Sequence, residues 1–325
     1  MKSKIISIAY HNQDAAFCRV WCVKWYPNGS LLATCGADKT IKIWNFEGNK
    51  LELADKIIGD QLRTIRSLSF SPCGKFLASA SFDATVMIYE KEYNTFTELH
   101  KLEGHESEIK CCQYSPSGKF IATCSRDKSL WVWKVDEDDD LEVQSILQSH
   151  SGDIKCVVWH PTDDILISSS YDNSINLYTY DGEEFVTSQK IPNAHSSTVW
   201  SVDFDSDGNN LISSGADGKV KVFRKINGPT LNDTKLEEII EYEIPNCRWP
   251  LYSVSWNKIT NLIAIGGGDK KLRILSFDRQ NEILKLEDEI KLNDEINNIS
   301  WSTSLPNNLA CVLDNGEIII IEVDL

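Results

Sequence analysis

Apolar residues along this chain come in short runs, most of them five or six residues long, separated by polar turn-forming clusters; no stretch sustains a helical period. Runs of that length flanked by Gly, Pro, Asn and Ser are the pattern of β-strands. The stretch from 109 to 147 shows it clearly. It predicts an inner strand over Ile109 to Tyr114, a second over Phe120 to Cys124, a third over Leu130 to Lys134 and an outer one over Leu141 to Leu147. Turns such as YPNG, SPCG and SPSG separate strands of this kind, so the chain reads as all-β.

The strands repeat in groups. An aspartate returns at Asp38, Asp83, Asp127, Asp172, Asp217, Asp269 and Asp314, at spacings of 45, 44, 45, 45, 52 and 45 residues. Six residues after it stands Trp44, Tyr89, Trp133, Tyr178 or Phe223, weakening to Leu275 and Ile320 in the last two copies. This is the WD-repeat pattern, whose unit is one four-stranded propeller blade. Seven copies leave no room for a second domain, so residues 1–325 are expected to form one seven-bladed WD-repeat β-propeller. The chain ends just after the third strand of the last blade, Glu317 to Val323. Lys4 to Ala9 is expected to supply the missing outer strand, which closes the ring and removes an open edge. Two stretches interrupt the period: the acidic run Val135 to Glu142, read as a solvated loop, and Lys225 to Tyr242, whose second half is read as an outer strand. Propeller topology puts both on the face opposite the aspartate turns.

In the third copy His105 lies 22 residues before Asp127, Thr123 four before it, and Trp133 six after it. The spacing predicts a hydrogen-bonded tetrad in which the aspartate accepts from the imidazole while the threonine hydroxyl and the indole N–H extend the chain. Leaving one such buried group unpaired costs roughly 1–3 kcal/mol. The next two copies keep the first three members as His150, Ser168, Asp172 and His195, Ser213, Asp217. The other four have Ala16, Gln61, Cys247 and Leu292 in the histidine position, so those blades are expected to lack the histidine and to rely more on packing. A histidine, serine and aspartate together invite comparison with a catalytic triad. Here the set recurs at the blade period, its hydroxyl is placed on a buried strand, and no Gly-x-Ser-x-Gly elbow surrounds it. No catalytic residue is assigned.

The formal net charge is −15, which argues against a general nucleic-acid or anionic-membrane binder, since those need broad basic surface. The apolar stretch before His11 is too short for a signal peptide and no later run is long enough to span a bilayer, so a soluble intracellular protein is expected. Ten cysteines show no CxxC pair and no disulfide framework. Those at 35, 111, 112, 124, 156 and 311 fall in or beside strands, where a thiol acts as a small hydrophobe. Cys18 and Cys22 would share a strand face too far apart for a simple disulfide, and neither a metal nor a cofactor site is read from these spacings.

Propeller geometry turns three positions per blade toward the channel on the aspartate face: the residue before the aspartate and those 17 and 19 before it. They include Arg19, Trp21, Arg66, Phe82, Lys110, Arg126, Lys155, Tyr171, Trp200 and Tyr252, with Glu108, Asp153 and Glu295 as acidic exceptions. Cations interleaved with aromatics on an acidic protein suit recognition of a peptide bearing carboxylates and aromatic or apolar side chains. The competing reading is that Trp21, Phe82 and Trp200 plug the channel mouth or pack between blades.

Several of these stretches carry a more specific likeness. RVWCVKWYPNGSLLATCGADKTIKIW, SPCGKFLASASFDATVMIY, LEGHESEIKCCQYSPSGKFIATCSRDKSLWVWKVDEDDD, VVWHP and HSSTVWSVDF resemble the WD-repeat protein of the cytosolic iron-sulfur protein assembly machinery, most strongly from Arg19 to Asp205. The resemblance implies a non-catalytic scaffold in the complex that delivers preassembled clusters to cytosolic and nuclear apoproteins. It also implies the partners: a small DUF59-type assembly protein, a large HEAT-repeat adaptor, an iron-only-hydrogenase-like cluster carrier, and the client iron-sulfur apoproteins. By the same resemblance Arg126, in CSRDKS, matches a functionally important surface arginine, and the family protein does not itself hold the cluster. Two other classes stay open. A WD-repeat adaptor for chromatin or ubiquitin ligation would share the scaffold but not these segments, and an enzyme would need paired carboxylates, a metal set or an activated nucleophile in the channel mouth.

Overall fold

The computed structural model describes residues 1–14, 16–93, 95–136 and 138–324; Glu137, inside the acidic run, and Leu325, the end of the expected domain, lie outside the described residues. Seven antiparallel four-stranded sheets make a seven-bladed propeller. In the third blade the strands are Ile109–Tyr114, Phe120–Ser125, Leu130–Val135 and Leu141–Leu147, each within one residue of its sequence expectation. The last blade is built from both ends of the chain: Lys2–Tyr10 lies antiparallel along Glu317–Asp324, from Lys2 opposite Asp324 to Tyr10 opposite Glu317. The insertion after blade five's third strand folds into a short 3-10 turn, Leu231–Asp233, and then the outer strand Lys235–Glu243.

Hydrophobic runs in neighbouring blades meet face to face, so the core is a series of seams and not one central mass. Between blades two and three, Phe76, Ala78 and Ile88 pack on Ile109, Tyr114 and Trp133. Between blades seven and one, Ala310, Val312 and Ile320 pack on Val23, Leu32 and Trp44. Second strands, flanked on both faces, are buried along their length, as in Phe76–Ser81 and Phe120–Ser125, save for the partly buried Leu31 of blade one.

Adjacent inner strands belong to separate sheets, and side chains tie them to each other's backbone. Ser67 Oγ accepts from the Cys112 amide at 3.3 Å, Ser253 Oγ from the Ile299 amide at 3.0 Å, and Asn298 Oδ1 from the Val23 amide at 3.1 Å. Tryptophans add a second tier: the indoles of Trp25, Trp159 and Trp301 donate to Ser300, Gln113 and Ser255 carbonyls of the preceding blade.

The expected tetrad atoms lie within hydrogen-bonding distance. His105 Nδ1 stands 2.8 Å from Asp127 Oδ2, its Nε2 2.9 Å from Thr123 Oγ1, and the Trp133 indole donates to the same hydroxyl at 3.1 Å. His150 bridges Asp172 and Ser168 at 3.0 and 2.6 Å, and His195 bridges Asp217 and Ser213 at 3.0 and 2.7 Å. One expectation fails. The first blade does have a histidine, supplied by His11 from 27 residues before Asp38: its two ring nitrogens reach Thr34 Oγ1 at 2.8 Å and Asp38 Oδ1 at 3.1 Å, and Trp44 donates to Thr34 at 2.8 Å. The loop after the N-terminal strand is longer than its counterparts, so a fixed offset from the aspartate pointed to Ala16 instead. Blade two also keeps a polar substitute, because Gln61 accepts from Ser79 Oγ at 2.7 Å and donates to the Ser79 carbonyl at 3.2 Å. In blade six the buried Arg273 guanidinium grips Asp269 and also Glu289 at 2.9 Å. Leu292 of blade seven is a buried apolar residue.

Candidate functional site

The channel mouth on the aspartate face owes its side chains to a repeated irregularity. Every inner strand slips register once against its neighbour, and the residue left over in each blade is Trp21, Arg66, Lys110, Lys155, Trp200, Tyr252 or Asn297. A β-bulge of this kind re-aims the extra side chain out of the sheet. Six of the seven are the cations and aromatics singled out from sequence. The bulge itself was not readable there, because a register slip depends on pairing between strands.

The cations lie across aromatic rings. Arg66 sits 4.9 Å and Arg19 5.9 Å from the Trp21 ring centre. Lys110 lies 4.2 Å from Phe82, while Lys155 is 5.4 Å from Tyr171 and 5.2 Å from Trp200. Such contacts hold a cation in place without neutralising it. Trp200 meets Tyr252 edge to face at 5.2 Å. Arg19, Trp21, Arg66, Trp200, Tyr252, Glu295, Asn297 and Asp314 enclose a cavity of 250 Å³. Trp200 also lines a second channel cavity, together with Lys110 and Lys155. Its indole Nε1 is buried without an acceptor among the described residues.

Two of the acidic exceptions, with the blade-seven aspartate, hold cations in position. Glu108 takes Arg63 at 3.2 Å and Arg126 at 3.3 Å, Asp153 takes Lys155 at 3.2 Å, and Asp314 takes Arg19 at 2.9 Å. Burial alone would raise the Glu108 pKa, but the Ser107 hydroxyl, a backbone amide, Lys110 and Arg63 outweigh it and hold the group at about 2. The Lys110 pKa is lowered as well, which here disfavours the charge: burial first, then repulsion from Lys155 and Arg66, brings it down to about 8 despite Glu108. Arg126 lies at the rim, its side chain 59% exposed. Tyr171 is also exposed.

Two residues of this face escaped sequence reasoning. Arg63 sits 5.9 Å from Phe82 and donates to the Phe82 carbonyl at 2.7 Å, and the exposed Trp249 lies over Gly268, the residue before blade six's aspartate. Both stand in loops leading into inner strands, outside the three counted positions. The usable signal was the pairing of Arg63 with Arg66 and the run RWP at 248–250.

Among the described residues no group of three or more His, Cys, Asp or Glu is arranged to hold a metal ion. Among them no helix is long and apolar enough to cross a membrane. Each histidine–hydroxyl–aspartate set is occupied internally, with Thr34, Thr123, Ser168 and Ser213 themselves fully buried.

Comparison with known proteins adds two findings. The family model described as "WD domain, G-beta repeat" matches residues 5–45, 56–90, 96–134, 141–179 and 186–224. A Caenorhabditis elegans protein named "Probable cytosolic iron-sulfur protein assembly protein CIAO1 homolog" is 41% identical over 319 residues, covering 94% of this chain and 95% of its own. Shorter matches are to a Culex quinquefasciatus protein named "Probable cytosolic iron-sulfur protein assembly protein Ciao1", 49% identical over 24% of this chain and 23% of its own, and to the Arabidopsis thaliana "Protein CIA1", 36% identical over 26% and 27%.

Proposed function

The chain belongs to the WD-repeat family and, within it, to the cytosolic iron-sulfur protein assembly proteins, and from that premise we propose that it is a non-catalytic adaptor through which iron-sulfur clusters reach cytosolic and nuclear apoproteins. The observation that carries this reading is the ring of bulged cations and aromatics around one channel mouth of a protein with net charge −15. A protein partner with carboxylates set beside aromatic or apolar groups complements it, since arginine pairs with carboxylate in two-point fashion and aromatic anchors dominate binding energy.

The face would engage one or more of the DUF59-type assembly protein, the HEAT-repeat adaptor, the iron-only-hydrogenase-like carrier and the client apoproteins. The cluster is cargo held by those partners. Affinity purification of the tagged protein from cells tests the reading. Recovery of iron-sulfur assembly factors supports it, whereas recovery of histones or cullin components in their place would move the protein to a chromatin or ubiquitin-ligase adaptor role.

A further inference from the structure

Two thiols in the channel wall have no part in the adaptor reading. Cys111 and Cys156 occupy equivalent places in blades three and four, each immediately after the bulged lysine of its inner strand. Both Sγ atoms approach the same acceptor, the Val157 carbonyl, at 3.9 and 3.7 Å. The thiols also interact directly with each other. Cys22, Cys112 and Cys124 are buried, whereas Cys111 and Cys156 are half-buried, and both line the channel cavity. That cavity also presents Lys24, Arg66, Lys110 and Lys155 against, among the described residues, a single carboxylate, Asp203. Positive surroundings of this kind favour thiolate and mark reactive cysteines. Hydrogen bonds with the Cys124 and Cys156 thiols hold the Cys111 thiol well below its ordinary range, and Lys24 adds to them against the opposing effect of burial.

We propose that Cys111 and Cys156 form a dithiol that hydrogen peroxide oxidises to a disulfide linking the inner strands of blades three and four. The Cys111 thiolate attacks one peroxide oxygen, the O–O bond breaks, and sulfur loses two electrons to become a sulfenic acid. The departing oxygen takes up a proton and leaves as water. Cys156 then gives up its proton and attacks the sulfenic sulfur; the S–S bond forms, the S–O bond breaks, and the hydroxyl leaves with that proton as a second water. Two thiols and one peroxide give one disulfide and two waters. The site does not depend on which protein the aspartate face binds.

The test treats the full-length reduced protein with one equivalent of hydrogen peroxide, blocks remaining thiols with N-ethylmaleimide under denaturing conditions, and maps tryptic peptides without reduction. Residues 111–119 and 156–190 fall in separate peptides, and Cys124 falls in a third, 120–126. The expected product is a peptide pair joined through Cys111 and Cys156, present also in Cys112→Ser and absent in Cys156→Ser. Serine fits that place, since Ser67, Ser201 and Ser253 hold it in other blades. In Cys156→Ser a dimedone adduct should accumulate on Cys111. Full alkylation of both thiols after peroxide, or a link from Cys111 to Cys112 or Cys124, would overturn the proposal.

Discussion

At the scale of single residues, an aspartate that satisfies more buried donors is expected to contribute more stability. Asp127 accepts from His105 at 2.8 Å, the Glu106 amide at 3.0 Å, and the Ser129 amide and hydroxyl at 2.8 and 2.6 Å. Asp314 serves Asn297 and the exposed Arg19. Asp127→Ala is therefore expected to destabilise more than Asp314→Ala, and equal shifts in urea midpoint would contradict this. His11→Ala takes one partner each from Thr34 and Asp38, which keep Trp44 and Thr40, and should cost roughly 1–3 kcal/mol. It should also change the pH profile. Burial lowers the His11 pKa below its unfolded value, more than Asp38 can restore, and His160 is lowered by burial in the same way. A group depressed on folding binds more protons when unfolded, so its contribution is complete above about pH 6.5 and is lost as pH falls toward the folded value. The lowered pKa values of Asp38, Asp127, Asp172 and Asp217, held down by their histidines and nearby hydroxyls or amides against burial, add a second loss of the same sign in the carboxylate range. Urea titrations between pH 7 and 5 should show a shallower loss for His11→Ala than for the parent protein; parallel curves would show that His11 is not titrating.

At the scale of elements, the N-terminal strand closes the ring, and the residue after it closes the first blade. Its pairing with Glu317–Asp324 and the placement of His11 make residues 2–11 a clasp between blades seven and one. Deleting residues 1–10 exposes the edge of Glu317–Asp324 and should lower the melting temperature and solubility. Unchanged melting would refute closure by this strand. Much of this was legible in the chain itself. The aspartate period located the blades, strand ends in blade three fell within a residue of their places, and the missing outer strand followed from where the repeats stop. His11 was not legible by counting, because its distance from Asp38 is set by one irregular loop. The bulges under Lys110, Lys155 and Trp200 were hidden for a related reason: alternation along one strand says which face a residue takes, but a slip in pairing appears only when two strands are laid together.

At the scale of the whole molecule, the propeller fixes seven inner strands around one channel, and the bulges convert that symmetry into a cationic, aromatic mouth. Arg126 and Arg63 share Glu108 at its rim, while Lys110 lies deeper, where its proton is lost at about pH 8. A carboxylate-bearing partner gains from the charged form of Lys110, so binding should weaken as pH rises through that value. Arg126→Glu should leave circular dichroism and melting nearly unchanged, because the side chain is mostly exposed, yet cost about 2 kcal/mol of binding, a loss of roughly thirtyfold. Trp200→Ala removes a ring that also packs on Tyr252, so it should lower affinity with a modest fall in melting temperature. The most direct test is calorimetric titration of parent, Arg126→Glu and Trp200→Ala proteins against the assembly factor recovered with the parent from cells. The adaptor account predicts loss of affinity in both variants with the fold intact; full affinity in both would contradict it and move the partner site off the aspartate face.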